Sequence, residues 1–248
     1  MTEPSPLVGV LGGMGPLATV DFLHKLVRLT PADGDEDHVP TVVWNVPQIP
    51  SRPEALAGRG PSPLPAMIAG IDRLNAAGAT RIVIPCNTAH RWYDDLQAAS
   101  PAPIIHIADA TVAALPGGLA SAGLIATRGT LQSGLYQSRL ESRGIQRVTP
   151  TEDEIDTLFI PGWAAVKSND LDRAGAVLEA AVSRLLDRGA ERVILACTEV
   201  PVALEHRRSR HLDICIDPAI ALAHACIAYW QDNRPRSPAL ARDILSNK

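Results

Sequence analysis

Two cysteines, Cys86 and Cys197, each end a copy of the same short phrase. The first copy is Gly78-Ala79-Thr80-Arg81-Ile82-Val83-Ile84-Pro85-Cys86-Asn87-Thr88. The second, a little under half the chain further on, is Gly189-Ala190-Glu191-Arg192-Val193-Ile194-Leu195-Ala196-Cys197-Thr198-Glu199. A duplicated unit that ends twice in a thiol can present two sulfurs to one cleft. Two facing thiols can take a proton from one side of a carbon and return one from the other, which inverts that carbon. If each sulfur stands about 3.5 Å from the carbon, the pair is about 7 Å apart. Two thiolates at that separation repel by roughly 2.4 kcal/mol at an effective dielectric of about 20, which is nearly two pKa units. Such a pair holds one proton between its members and titrates as a unit.

The residues beside the sulfurs suit this chemistry. Asn87, Thr88 and Thr198 place amide and hydroxyl groups where a substrate carboxylate needs donors. Both cysteines follow short aliphatic strand-like runs, and a helix is expected after each. A thiol at a helix N-terminus is expected to drop from a pKa of about 8.5 to between about 3.5 and 7.5. Cys215 and Cys226 have no repeat partner and read as core filling.

The elements that must position these groups alternate in type. Strand-like runs are Leu7–Leu11, Thr41–Val46, Arg81–Pro85, Ile104–Ile107, Gly123–Ala126 and Arg192–Ala196. Helix-like stretches are Leu17–Leu29, Leu64–Ala77, Leu131–Arg143, Leu171–Arg188 and Pro218–Gln231, the last opened by the Asp217-Pro218 start signal. Continuous apolar strands between helices predict parallel sheets covered on both faces. Gly9-Val10-Leu11-Gly12-Gly13-Met14-Gly15-Pro16-Leu17 also aligns with Gly123-Leu124-Ile125-Ala126-Thr127-Arg128-Gly129-Thr130-Leu131. The expected fold is therefore two similar α/β lobes with the active site between them. The first lobe is read as residues 1–112 plus 217–248 and the second as 113–216, with the crossing near Ala110–Gly118. In open sheets of this type, ligands bind beyond the carboxyl ends of the strands, where both cysteines fall. The Pro- and Gly-rich segment Pro47–Pro63 carries Gln48 and Arg52, and a loop of this length is more often functional than not.

Composition excludes several classes. With 46% hydrophobic residues the chain is a folded globule. A net charge of −4 offers no general attraction to nucleic acid or anionic lipid. Four scattered cysteines do not read as a disulfide framework, and the start MTEPSPLVGV carries no basic signal-peptide region. The run Ala219–Trp230 is too short to span a bilayer. A soluble cytoplasmic protein is expected. The segment GVLGGMGPLAT fails the G-x-G-x-x-G spacing, so nucleotide binding is set aside. Cys86 and His90, four apart, raise a zinc site with Cys197, but no fourth ligand is evident and no metal is expected. His106 reads as a satisfied core residue, and Arg81 and Arg192 as structural. Glu199, close after Cys197, could cap a helix N-terminus or take part in proton transfer, and the cap is the preferred reading.

At PCNTAH (Pro85–His90), ACTEVP (Ala196–Pro201), GGMGP (Gly12–Pro16) and ATRGT (Ala126–Thr130), the sequence resembles the aspartate/glutamate racemase family over nearly its whole length. The resemblance implies a cofactor-independent amino-acid racemase, of aspartate/glutamate type or of broad specificity, acting on a small-molecule substrate and forming a homodimer. It implies Cys86 and Cys197 as the acid/base thiols. Asn87, Thr88 and Thr198 would hold the α-carboxylate, Thr127 and Thr130 would line the pocket, and Met14 would floor it. Arg52, Gln48 and Lys167 would contact the substrate's outer carboxylate or side chain. Ser51 departs from the acidic residue expected between Pro50 and Arg52, which leaves that loop's part in specificity open. The alternatives are a maleate cis–trans isomerase on the same scaffold and a non-catalytic binder of amino acids or dicarboxylates. An arylmalonate decarboxylase needs one thiol, and two matched cysteines speak against it.

Overall fold

The structure is a computed structural model, and it describes residues 5–234. Two four-stranded parallel sheets form its two lobes. The first has the order β2-β1-β3-β4, with β1 Val8–Gly12, β2 Thr41–Asn45, β3 Arg81–Val83 and β4 Ile104–Ile105. The second repeats it as β6-β5-β7-β8, with β5 Ser121–Leu124, β6 Gln146–Val148, β7 Arg192–Ile194 and β8 Cys215–Ile216. The duplication extends to register. Val8 pairs with Arg81 in the first sheet, and Ala122 pairs with Arg192, the repeat mate of Arg81, in the second.

Alternation along each strand feeds two cores per lobe. In β1, Val8 and Val10 join Phe22, Leu26, Leu222 and Cys226 on one face, while Leu11 joins Met67, Ile71 and Leu74 on the other. Those layers come from the helices Pro16–Leu29 and Pro218–Asn233 on one side and Leu64–Ala76 on the other. Phe22 is fully buried, which is worth about 1.5–3 kcal/mol of apolar transfer. In the second lobe, the helices Leu171–Asp187 and Glu199–Arg207 cover one face. Leu140 and Tyr136 pack on the other. The helix that follows each fourth strand crosses the seam. Ala108 and Val112 of Ile107–Ala113 enter the second lobe's core, while Ala219, Leu222 and Ala223 of Pro218–Asn233 enter the first lobe's.

The strand-like runs foretold β1–β5 and β7 to within a few residues, but the edge strands β6 and β8 were not foreseen. β6 is mostly exposed and β8 is two residues long, so neither carries an apolar run. The predicted helix Leu131–Arg143 is two short helices, Arg128–Gln132 and Gln137–Glu141. The break falls at Gly134, whose φ of 71° no helical residue adopts. Across the seam, buried Lys25 sits 2.7 Å from Asp21, 2.7 Å from Asp217 and 2.9 Å from Glu205 of the helix that begins at Glu199. Burial raises the Asp21 carboxyl to about 6 despite Lys25. Among the described residues, no helix is long and apolar enough to cross a membrane.

Candidate active site

In each sheet the chain reverses its winding between the first strand and the third. That topological switch point opens a crevice at the strand carboxyl ends. The first lobe fills it with Gly12-Gly13-Met14 after β1 and with Cys86 after β3. The second fills it with Thr127 after β5 and Cys197 after β7. The two crevices face each other, and one cavity is lined by Met14, Cys86, Asn87 and Thr88 together with Thr127, Lys167, Cys197, Thr198 and Glu199. Arg52, Pro53 and Trp163 complete it. Both cysteines are free thiols, 6% and 5% exposed.

The lobes are joined at this point by side chains from both. Thr88 Oγ1 lies 3.1 Å from Thr127 Oγ1 and 3.0 Å from Thr130 Oγ1, a closed triangle of buried hydroxyls. Thr127 also caps the helix Arg128–Gln132 by accepting from the Thr130 N–H. Thr198 Oγ1 donates to the Pro85 carbonyl at 3.2 Å, across the seam and next to Cys86. The Asn87 Oδ1 accepts from Tyr136 O–H, which leaves its buried Nδ2 without a hydrogen-bond partner among the described residues. Arg52 is similarly half-used. Its Nη1 donates to the carbonyls of Ile49 and Pro50 at 3.1 and 3.0 Å, while the buried Nε is unpaired among the described residues. Unpaired buried donors of this kind are costly unless a ligand takes them up, and both line the cavity.

The two thiols have different surroundings. Cys197 Sγ donates to Glu199 Oε2 at 3.2 Å, and the other oxygen of Glu199 is ion-paired with Lys167 Nζ. Burial first, and the Glu199 carboxylate second, push the Cys197 thiol well above its ordinary value. This reverses the expectation of a thiol lowered by its helix, because the helix Glu199–Arg207 begins with a carboxylate aimed at the sulfur. Glu199 is also not the simple cap read from the sequence: Thr198 holds the N-cap position, and the Glu199 side chain is 5% exposed inside the site. Gly15 makes room for this pair, since a Cβ there would lie 2.7 Å from Lys167 Nζ and 3.3 Å from Glu199 Oε1. Gly13, with φ of 95°, lets the same loop turn under Val46, whose carbonyl a Cβ would meet at 2.3 Å.

Of the predicted site residues, Gln48 is exposed on the turn before Ile49 and does not line the cavity. Thr130 stands behind Thr88 and Thr127 as their partner and is not part of the wall. Trp163, Pro53 and Glu199 line it and were not among the residues predicted to bind. Glu199 had a signal: it sits two residues after Cys197, as Thr88 does after Cys86. His90 is spent on the fold. Its Nδ1–H donates to the Cys86 carbonyl at 2.9 Å and its Nε2 accepts from the Ile107 N–H at 3.2 Å. Burial, then His106, lower it to about 3, so it is neutral, and with both nitrogens engaged it has no lone pair for zinc. His106 caps the helix Ile107–Ala113 by accepting from the Ala108 N–H. Arg81 packs over the Tyr229 ring, and Arg192 donates to the Glu191 carbonyl; both are structural.

The model of the Asp/Glu/Hydantoin racemase family matches residues 11–226. A broad-specificity amino-acid racemase of Bacillus subtilis is 27% identical over 230 residues, covering 90% of this chain and 98% of that protein. The solved aspartate racemase of Picrophilus torridus superposes with a TM-score of 0.82 at 34% identity, covering 92% of this chain and 95% of that one. The fold is also that of glutamate racemase from Francisella tularensis, solved with D-glutamate, with a TM-score of 0.68 at 17% identity over 94% of this chain and 84% of that one. With a family model running through both lobes and both cysteines, this chain belongs to the Asp/Glu/hydantoin racemase family and is an isomerase of the racemase class.

Proposed function

We propose that this protein racemises an amino acid of the aspartate or glutamate kind, with no cofactor, using Cys86 and Cys197 on opposite faces of the α-carbon. The observation that carries this is the meeting of two thiols in one cavity, each delivered by the third strand of a repeated lobe. Cys197 is held protonated by its burial and by Glu199, so it is the acid arm at rest. Cys86, as thiolate, takes the α-proton, and the electron pair moves into the carboxylate. The Asn87 Nδ2–H is the unpaired donor for that growing charge, and the hydroxyls of Thr88 and Thr198 join it once they are released from Thr127 and from the Pro85 carbonyl. Cys197 then delivers its proton to the opposite face, leaving the enantiomer, a Cys86 thiol and a Cys197 thiolate. The return reaction exchanges the two roles. Arg52 Nε–H complements an outer carboxylate of the substrate, and Lys167 holds Glu199 in place. Thiols in this role need a reducing compartment, so we read the protein as cytoplasmic, and as a homodimer from its family likeness.

The cavity has a volume of about 20 Å³, room for a single water. Substrate entry therefore requires the lobes to part at the Thr88–Thr127 and Thr198–Pro85 contacts. The test is a circular-dichroism assay on both enantiomers of aspartate and glutamate, with α-deuterium incorporation followed by NMR in D₂O. Equal approach to the racemate from either enantiomer is expected. Binding of these amino acids with no exchange and no change of optical signal would leave a binding protein instead.

A further inference from the structure

Tyr136 is a large buried side chain whose polar end the reaction above does not use. It holds the N-cap position of the helix Gln137–Glu141, just past the Gly134 break, and is 1% exposed. Its ring shares a core with Leu140 of the second lobe and with Ala108 and Val112 of the crossing helix Ile107–Ala113. Its hydroxyl reaches across the seam to Asn87 Oδ1 in the first lobe, next to Cys86. Tyr136 does not line the thiol cavity, whereas Asn87 does, so it can act on a substrate there only through Asn87.

Two acceptors compete for the one phenolic hydrogen. Thr111 Oγ1 lies 3.4 Å away, beyond the usual O–H···O range of about 2.5–3.0 Å, whereas the Asn87 contact is short. Thr111 spends its own hydrogen on the Ile107 carbonyl at 2.7 Å, so it has none to give Tyr136. Burial pushes the Tyr136 phenol above its ordinary value, which keeps the hydrogen on the oxygen. The phenol therefore donates to Asn87 Oδ1. That leaves Nδ2 as the free end of the amide, buried and unpaired among the described residues. The two ends of an amide have nearly the same shape and opposite hydrogen-bonding character. A phenylalanine ring at position 136 would not tell them apart, and a reversed amide would aim an acceptor oxygen at the substrate's carboxylate.

We propose that Tyr136 is a positioning residue for racemisation: its hydroxyl fixes the Asn87 amide so that Nδ2, and not Oδ1, meets the substrate's α-carboxylate. The proposal rests on the racemase reading of the thiol cavity. The experiment is a double-mutant cycle of Tyr136→Phe and Asn87→Ala. It reads kcat/KM for aspartate and glutamate by chiral assay, with folding checked by thermal melting. Removing one donor to a growing charge costs about 10²- to 10³-fold, which is expected of Asn87→Ala. Tyr136→Phe leaves the donor present but unfixed, and should lower kcat/KM by about tenfold or more. In the Asn87→Ala background the same change should cost less than twofold, because the hydroxyl then has no amide to orient. A Tyr136→Phe variant that keeps more than half of the wild-type kcat/KM overturns the proposal. So does an equal loss in both backgrounds, which would make Tyr136 a structural residue independent of Asn87. The double variant has no stranded Oδ1, so its comparison with Asn87→Ala decides the matter even if Tyr136→Phe alone does not fold. A wild type that racemises neither aspartate nor glutamate overturns the racemase reading itself; the other failures leave that reading standing.

Discussion

Cys86 and Cys197 occupy the same place in two copies of one fold, yet their surroundings have diverged. Two residues after Cys86 stands Thr88, a neutral hydroxyl tied to Thr127 and Thr130. Two residues after Cys197 stands Glu199, a carboxylate that accepts the thiol hydrogen and is held by Lys167. The duplicated scaffold brings both sulfurs to one cavity, which the proposed two-sided proton transfer needs. In the proposed mechanism this difference sorts the protons, because Cys197 faces a carboxylate that favours its protonated form.

The strongest way to break this comparison is to remove either sulfur. Cys86→Ser and Cys197→Ser should each lower racemisation by at least about 10⁴-fold, since a hydroxyl is a far weaker acid and base than a thiol near neutral pH. A chiral assay reads this directly. A variant that kept a tenth of wild-type activity would remove its cysteine from the two-sided scheme.

Glu199→Gln should cost about 10²- to 10³-fold in kcat, the range for a group that handles a proton in the reaction. Enantiomers have equal free energy, so kcat/KM must fall equally in both directions. The pH profile gives the sharper test. The carboxylate helps to hold the Cys197 thiol above its ordinary value, so replacing it with an amide lowers that value. Activity requires one protonated thiol, so the alkaline limb of kcat/KM should move to lower pH in Glu199→Gln. An unmoved limb would show that the Glu199 carboxylate does not govern the thiol.

Thr88→Val probes the other lobe. It keeps the shape but leaves the buried hydroxyls of Thr127 and Thr130 with only each other, so that one hydroxyl hydrogen loses its partner, which should cost about 1–3 kcal/mol of stability in denaturant titration. The smallest effect belongs to Gln48→Ala. That side chain is exposed and off the cavity, so KM for aspartate should change by less than twofold.

Much of this contrast was legible in the chain. The repeated phrase picked out both cysteines, and the aligned glycine turns placed Met14 and Thr127 at matched switch points. Apolar runs located the central strands, because those strands are buried on both faces. The second lobe's edge strands escaped because β6 is mostly exposed and β8 is two residues long, and neither leaves a hydrophobic signature. Trp163 escaped because it lines the cavity from a helix that follows a π-helical turn, and no residue pattern announces that turn. Glu199 was visible with two readings open: an acid at a helix start suits the helix dipole, which favoured the cap, and only the folded cleft shows its oxygens reaching Cys197 and Lys167.

The most direct test of the two-thiol account is loss of the α-proton signal in D₂O by NMR, with L- and D-aspartate offered separately to Cys86→Ser and Cys197→Ser. Each variant keeps one base, on one face. The account predicts that each exchanges one enantiomer without inverting it, and that the two variants choose opposite enantiomers. Exchange of the same enantiomer by both variants, or inversion by either, would contradict it.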